Sequence, residues 1–310
     1  MDYVLRTFGL TKIYQDKHVV QNINMTIKKG EIYGLIGKNG AGKTTTLRMI
    51  LNLINPSSGK VELFGKNPAK NQSIFEKIGS FICHSNFYHN LTAEENLEIH
   101  RRLMGVVSKK RTEEMLKKVN LMQYKDKKVE DFSVGMKQRL GIARSMLHYP
   151  EFLILDEPTN GLDPQVVKDL RQTLIQLAND YEVAILLSSH ILSEVDYLSN
   201  VLGIIHEGHL IEELNYEALQ EKKKRYLQLS VNDVKKASFI LETELNISDY
   251  IICDGGIIKV YNKMDSAELN TKMVESSVEV YEMINAHDSL ENYFLSITEE
   301  GDLIDHYPAN

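Results

Sequence analysis

The 310-residue chain is 43% hydrophobic, enough to bury a substantial core, and its length favours two domains over one. Its 36 Lys and Arg against 43 Asp and Glu give a net charge of -7, which removes any broad electrostatic reason to bind nucleic acid and leaves only a local basic patch. No apolar run approaches the roughly 18 to 20 residues of a membrane-spanning helix, and MDYVLRTFGL lacks the charged start and apolar core of a signal peptide, so a cytoplasmic chain is expected.

The chain opens with β-rich segments. YVLRTFGLTKIY and HVVQNINMTIKKGEIYGLIG carry β-branched residues in alternating or continuous runs, with a turn expected at Lys29-Gly30 and a buried strand at IYGLIG. GKNGAGKTTTLRMILNLINP then reads as a glycine loop running into a helix that stops before Pro56, and GKVELFGK as a hairpin-like stretch. From Leu91 to Leu147 the periodicity is mainly helical, beginning at a capping box from Thr92 to Glu95. Strands return in alternation with helices: FLILD, VVKDLRQTLIQLAND, VAILLSS, ILSEVDYLS and VLGIIHEGHLIEE. That order predicts a mostly parallel sheet covered by helices, an α/β arrangement. EKKKRY near residue 220 marks a solvated junction, and the remainder, including DVKKASFILETEL and DYIICDGGIIKVY, suggests a small α+β domain.

Residues 37 to 44, GKNGAGKT, match G-x-x-x-x-G-K-[ST] between a predicted strand and a predicted helix. In this pattern the backbone N–H groups of Gly37, Lys38, Asn39, Gly40, Ala41 and Gly42 cradle phosphate oxygens, and the helix N-terminus adds partial positive charge. Lys43 reaches the β- and γ-phosphates, Thr44 ligates Mg²⁺, and Thr45 lies beside it. In FLILDEP, Asp156 falls at the end of a buried strand, where it can hold Mg²⁺ through water, and Glu157 next to it can orient or polarise an attacking water. His190, closing VAILLSSH, falls at the site end of a parallel sheet. NKMD, residues 262–265, has the form of a guanine-reading motif, but it lies far from the phosphate loop with no D-x-x-G switch between them, and is taken as chance. CHSNFYH fits no standard zinc spacing.

Together GKNGAGKTT, FSVGMKQR, FLILDEP, NGLDP and SSH stand in the order and spacing of the ATP-binding-cassette ATPases, which the chain resembles over about residues 1–220. The resemblance implies a P-loop NTPase fold: a RecA-like core, an antiparallel β subdomain and a helical subdomain over about 88–148, followed by a C-terminal accessory domain over 221–310. It implies ATP and Mg²⁺ as ligands and ATP hydrolysis as the reaction, with Lys43, Glu157 and His190 as catalytic groups. Ser133 and Gly135, in the signature segment, are implied to bind the γ-phosphate of ATP held by an opposite subunit. The active unit is then a head-to-tail dimer, expected to be of identical copies, in which Asp163 of NGLDP couples the two sites and Tyr14 stacks on adenine.

The common signature is L-S-G-G-Q, from which Phe132, Val134 and Met136 depart. The form SVGMKQR resembles the bacitracin-resistance and lantibiotic-immunity branch of exporters, as do IGSFICHSNFYHNLTAEENL and SLENYFLSIT. Cys83 stands where that family carries glutamine or glutamate, and a thiol is a poor Mg²⁺ ligand. Thr44 and Asp156 are expected to keep the metal while a neighbour such as His84 takes over the contact. The resemblance thus implies an ATPase subunit, peripheral on the cytoplasmic face of the membrane, powering a separate permease that it meets around FYHNLTAEENL. The alternative, a non-transport cassette protein acting on ribosomes or DNA, normally carries two cassettes or coiled-coil insertions, and neither is present.

Overall fold

Short apolar runs without polar alternation form strands buried on both faces. IYGLI, FLILD and AILLSS do so as β4 (Ile32–Ile36), β7 (Phe152–Asp156) and β8 (Ala184–Ser189), every residue of which is buried. The computed structural model describes residues 3–82, 87–192, 195, 198–215, 217, 218, 225–261, 265–287, 293, 294 and 297. The chain divides into two units, Met1–Tyr216 and Glu217–Asn310.

In the first unit, β1 (Tyr3–Tyr14) pairs antiparallel with β2 (Lys17–Ile23), β3 (Thr26–Lys28) and β5 (Ser58–Leu63). The β1–β2 hairpin turns at Gln15 and Asp16, both with positive φ (45° and 67°), the backbone twist that suits a two-residue hairpin loop. The main sheet has six strands. β6 (Ile78–Phe81), β9 (Val201–His206) and β10 (His209–Asn215) join the three buried runs in the order β10-β9-β4-β8-β7-β6. All its pairings are parallel except that of the edge strand β10, which pairs antiparallel with β9. One core of buried side chains, including Leu5, Ile27, Tyr33, Leu47, Phe152 and Leu186, joins both sheets to α1 (Lys43–Ile50).

The predicted helical stretch contains α2 (Ala93–Leu103), α3 (Lys110–Lys118) and α4 (Val134–Ser145). Thr92 caps α2 as expected: its hydroxyl accepts from the Glu95 N–H at 3.1 Å while the Glu95 carboxylate accepts from the Thr92 N–H at 2.8 Å. α5 (Pro164–Tyr181) begins with proline at its first position, where the missing N–H costs nothing, and leads into β8. Four residues of the predicted helix ILSEVDYLS (193, 194, 196 and 197), most of EKKKRY and residues 262–264 of NKMD lie outside the described residues.

The second unit runs β11 (Arg225–Val231), α6 (Val234–Thr243), β12 (Tyr250–Cys253), β13 (Ile257–Val260), α7 (Ser266–Glu275) and β14 (Val280–His287). Its antiparallel sheet has the order β12-β13-β11-β14, a split βαβ arrangement. Leu229 and Ile258 of the sheet share a core with Ile240 of α6 and Met273 of α7.

The helical part of the first unit carries a titratable seam. His100 of α2 meets His148, just beyond α4, edge to face with ring centroids 6.1 Å apart. Burial, then the Arg144 and His148 charges, hold the His100 pKa down at about 4 from its usual 6.5. The unfolded chain therefore binds the extra proton first, so this group's share of stability is full above about pH 6.5 and is lost as pH falls towards 4. We expect the melting temperature of the chain to drop across that window and the slope to flatten in His100→Phe, as followed by circular dichroism from pH 7 to 4.

Candidate functional site

Strand register assembles the site. Ile36 of β4 lies opposite Ser189 of β8, and Ser188 lies opposite Asp156 of β7, so three neighbouring parallel strands end level. The chain leaving each at its carboxyl end supplies one part: the loop from Gly37 after β4, Glu157 after β7 and His190 after β8. Ligands collect at this edge of parallel sheets.

The loop is shaped by its glycines. Gly40 and Gly42 take φ of 86° and 105°, a region open to glycine at little steric cost. A β-carbon on Gly37 would lie 2.3 Å from the Ile205 carbonyl oxygen, so the loop can rest on neighbouring backbone only without one. Among the described residues, the N–H groups of Gly40, Gly42, Lys43, Thr44 and Thr45 have no hydrogen-bond acceptor. These unpaired donors at the start of α1 make a cradle for an anion.

Lys43 is buried within it. Its ammonium donates to the Gly37 carbonyl at 2.6 Å and the Lys38 carbonyl at 3.2 Å, and lies 3.3 Å from Glu157 Oε1. Glu157 Oε2 is 2.7 Å from His190 Nδ1. Thr44 and Ser188 donate their hydroxyls to the two oxygens of Asp156, at 2.8 and 2.6 Å. The predicted residues Lys43, Thr44, Asp156, Glu157 and His190 thus form one connected cluster. Hydroxyl and carboxylate oxygens are the hard donors that suit Mg²⁺, and Thr44, within the loop-to-helix segment, offers one beside Asp156 at 2.8 Å.

Two members of the site escaped the motif reading. Ser188 not only holds Asp156 but also accepts the Glu157 N–H at 3.0 Å. Gln138 donates from its side chain to the Glu157 carbonyl at 2.9 Å. The available signals were slight: a hydroxyl inside the apolar run of β8, and an amide one turn into the helix that follows Ser133.

The signature residues stand apart from the cluster. Ser133 caps α4, its hydroxyl accepting the Met136 N–H at 3.2 Å, and Val134 is 65% exposed beside it. Gly135 faces the Gly161 carbonyl, 3.3 Å from where its β-carbon would be. Asp163 occupies the N-cap position of α5 without a side-chain capping bond. Among the described residues, Ser133, Gly135 and Asp163 share no hydrogen bond or ion pair with residues 37–45. Tyr14, at the end of β1, is 46% exposed, with the Lys12 ammonium 4.8 Å from its ring centre. Cys83 and His84 lie outside the described residues.

The ABC transporter family model matches residues 20–160. The bacitracin transport ATP-binding protein BcrA of Bacillus licheniformis is 45% identical over 97% of this chain and 99% of its own length. The lantibiotic transport ATP-binding protein SrtF of Streptococcus pyogenes is 41% identical over 69% of this chain and 92% of its own. Among solved structures, the ATP-binding subunit of an ABC transporter superposes with a TM-score of 0.65 at 26% identity, covering 70% of this chain and 92% of that one. The dimeric ATP-binding cassette MJ0796, in a post-hydrolysis state bound to ADP and Pi, gives 0.64 at 25% identity over 68% of this chain and 98% of its own.

Removing the Ser188 hydroxyl would leave one oxygen of the buried Asp156 without its donor, and the Glu157 N–H with only the Ser188 carbonyl at 3.2 Å. Ser188→Ala should cost about 1–3 kcal/mol of stability, read as a lowered urea midpoint, and slow any reaction that needs Glu157 in place. Coincident unfolding curves would show that Ser188 is a bystander.

Proposed function

The chain belongs to the family of ABC transporter ATP-binding proteins, and from that premise we propose that it is the ATP-hydrolysing subunit of an exporter for bacitracin-like or lantibiotic-like peptides. The names of its relatives, bacitracin and lantibiotic transport proteins, support this substrate class over the ribosome- or DNA-directed alternative. Among the described residues no helix is long and apolar enough to cross a membrane, and a separate permease would supply the translocation path. The chain would then work on the cytoplasmic face of the membrane.

The observation that carries the activity is the connected cluster Lys43–Glu157–His190 beside Thr44–Asp156. In the proposed mechanism the N–H cradle and Lys43 hold the triphosphate and offset the charge that develops on its γ-phosphoryl group. Glu157 orients and polarises the attacking water. His190, bonded to the far carboxylate oxygen, fixes the direction in which Glu157 points and stands where the γ-phosphate can be sensed. Thr44 and Asp156 would hold Mg²⁺, which when bound neutralises phosphate charge. Tyr14, exposed at the hairpin end, is offered to the adenine ring.

Ser133 and Gly135 are assigned to a second copy's nucleotide. Their separation from this chain's own loop supports that division, because a signature turn serving its own phosphate cradle would have to lie against it. Two ATP molecules would be enclosed by two chains, and closure would do work on the permease because nucleotide favours the closed state. Asp163, two residues beyond Gly161, would relay between the sites.

For the permease we assign the groove flanking Phe87–Leu97. Two cavities of about 520 and 360 Å³ share His100 and Arg144 there. Leu53, Tyr88 and Leu103 along them are 64%, 58% and 77% exposed, more apolar surface than a solvated helix needs.

Replacing Glu157 tests the motor. Glu157→Gln keeps size and loses the basic oxygen, so steady-state ATP hydrolysis should fall about 10²- to 10⁴-fold while ATP binding persists. Light scattering should then show an ATP-dependent dimer that accumulates because it cannot be reset. Hydrolysis at the wild-type rate would refute the assignment of Glu157. At the permease groove, Tyr88→Asp combined with Leu103→Asp should abolish co-purification of the chain with a membrane protein, and retained co-purification would place the contact elsewhere.

A further inference from the structure

Glu157 is held in a backbone conformation that a residue with a β-carbon adopts at a cost: its φ is 49°. Every polar group it owns is engaged. Its N–H donates to Ser188, its carboxylate meets Lys43 and His190, and its carbonyl accepts from the Asn160 N–H at 3.2 Å and from Gln138 Nε2 at 2.9 Å. Asn160 belongs to the same turn, and Ser188, Lys43 and His190 belong to the sheet edge and its loop. Gln138 alone among these partners comes from α4, the helix that starts at Ser133.

α4 is seated firmly on the Glu157 turn. Besides the Gln138 bond, the β-carbon position of Gly135 lies 3.3 Å from the Gly161 carbonyl and 3.4 Å from Leu162 Cδ2, so the helix start packs closely on the loop that follows Glu157. The carbonyl of Glu157 fixes the orientation of the peptide that follows it, and with it the left-handed turn that aims the carboxylate. A displacement of the α4 N-terminus is therefore delivered to that carbonyl, five residues along the helix from Ser133.

We infer that Gln138 is a positioning residue which couples the grip of Ser133 on one nucleotide to the alignment of Glu157 on the other. This rests on the two-chain arrangement proposed above. There, the α4 N-terminus of a chain holds ATP bound to the partner, whereas Glu157 of the same chain acts at its own phosphate loop. Occupancy of the partner's site holds α4 in the seat seen here, so that Gln138 keeps the Glu157 carbonyl pinned and hydrolysis at the chain's own site stays primed. The link runs within one polypeptide, which gives two active sites a reason to fire in concert. Gln138 itself touches no substrate in this scheme.

The test compares two variants of the full chain. Gln138→Met has similar length and no donor; Gln138→His places a ring N–H near the position of the lost amide. For Gln138→Met we expect kcat to fall about tenfold, the effect of one lost positioning bond, with affinity for a fluorescent ATP analogue and melting temperature held near wild type. The Hill coefficient for ATP should fall towards 1, and Gln138→His should recover both kcat and the Hill coefficient. Wild-type kinetics in Gln138→Met would overturn the inference. So would a lowered kcat with unchanged cooperativity, or an equal loss of kcat and melting temperature in both variants, which would mark a purely structural contact. A wild-type chain that neither hydrolyses ATP nor dimerises with it would instead sink the motor proposal, and the two failures are thereby told apart.

Discussion

One buried carboxylate fixes the geometry on which the rest depends. Asp156 is 8% exposed, and its two oxygens accept from Thr44 in the first turn of α1 and from Ser188 at the end of β8. A carboxylate in that place is tolerable only with hydrogen bonds to replace water, so the fold and the site satisfy the same requirement. Because the donors are hydroxyls, which carry lone pairs of their own, the Thr44 oxygen would stay open to a cation in the proposed site. Ser188, accepting the Glu157 N–H with the same oxygen that holds Asp156, then keeps Glu157 registered to β8. The phosphate loop, the acidic strand end and the histidine strand end are locked to one another through two side-chain bonds and a strand register.

The parts of this site that were legible in the sequence are those where neighbours in sequence act together. Gly37 to Thr44 form one loop, and Asp156 and Glu157 are adjacent, so spacing alone implied their chemistry. Apolar runs likewise revealed β4, β7 and β8, since a strand covered on both faces has no polar side to show. Ser188 stayed hidden because a serine in an apolar run is common and gains its role only when β8 comes to lie beside β7. Gln138 stayed hidden because its partner is 19 residues along the chain, on the far side of a strand. Strand order was illegible for the same reason: nothing local states that β4 sits between β8 and β9, or that β10 turns back antiparallel at the edge. The small domain was legible as α+β, but the pairing of its first and last strands, β11 with β14, is a long-range event.

The departures from the common signature sequence are explained by where each side chain goes. Phe132 is 5% exposed and serves as an apolar anchor just before the helix cap, a task leucine performs with less volume. Val134 is largely exposed, so its branches occupy solvent-side space and leave the Ser133 hydroxyl on its capping bond. Met136 contributes its backbone N–H to that bond, a contribution any residue except proline makes. Gly135 is the tightest of these positions, since the Gly161 carbonyl lies 3.3 Å from its β-carbon position. Three substitutions thus alter volume around the helix start without changing its donors. The backbone groups at the helix start are thereby insulated from side-chain drift.

The same insulation reconciles a chain of net charge -7 with an anion as its ligand. At physiological ionic strength, charges more than about 8 Å apart in solvent are largely screened from one another. The surface excess of carboxylates therefore contributes little inside the cradle, where the local field comes from unpaired N–H groups, the start of α1 and the buried ammonium of Lys43. Glu157 lies 3.3 Å from that ammonium and opposes it directly, but its other oxygen is committed to His190, which limits how far it can follow Lys43. A triphosphate and the carboxylate would compete for one cation, and the phosphate, with more charge and five backbone donors in reach, has the advantage. Displaced from Lys43, Glu157 would remain tethered by Ser188, Gln138 and His190 beside the phosphate, the position from which it can act on a water.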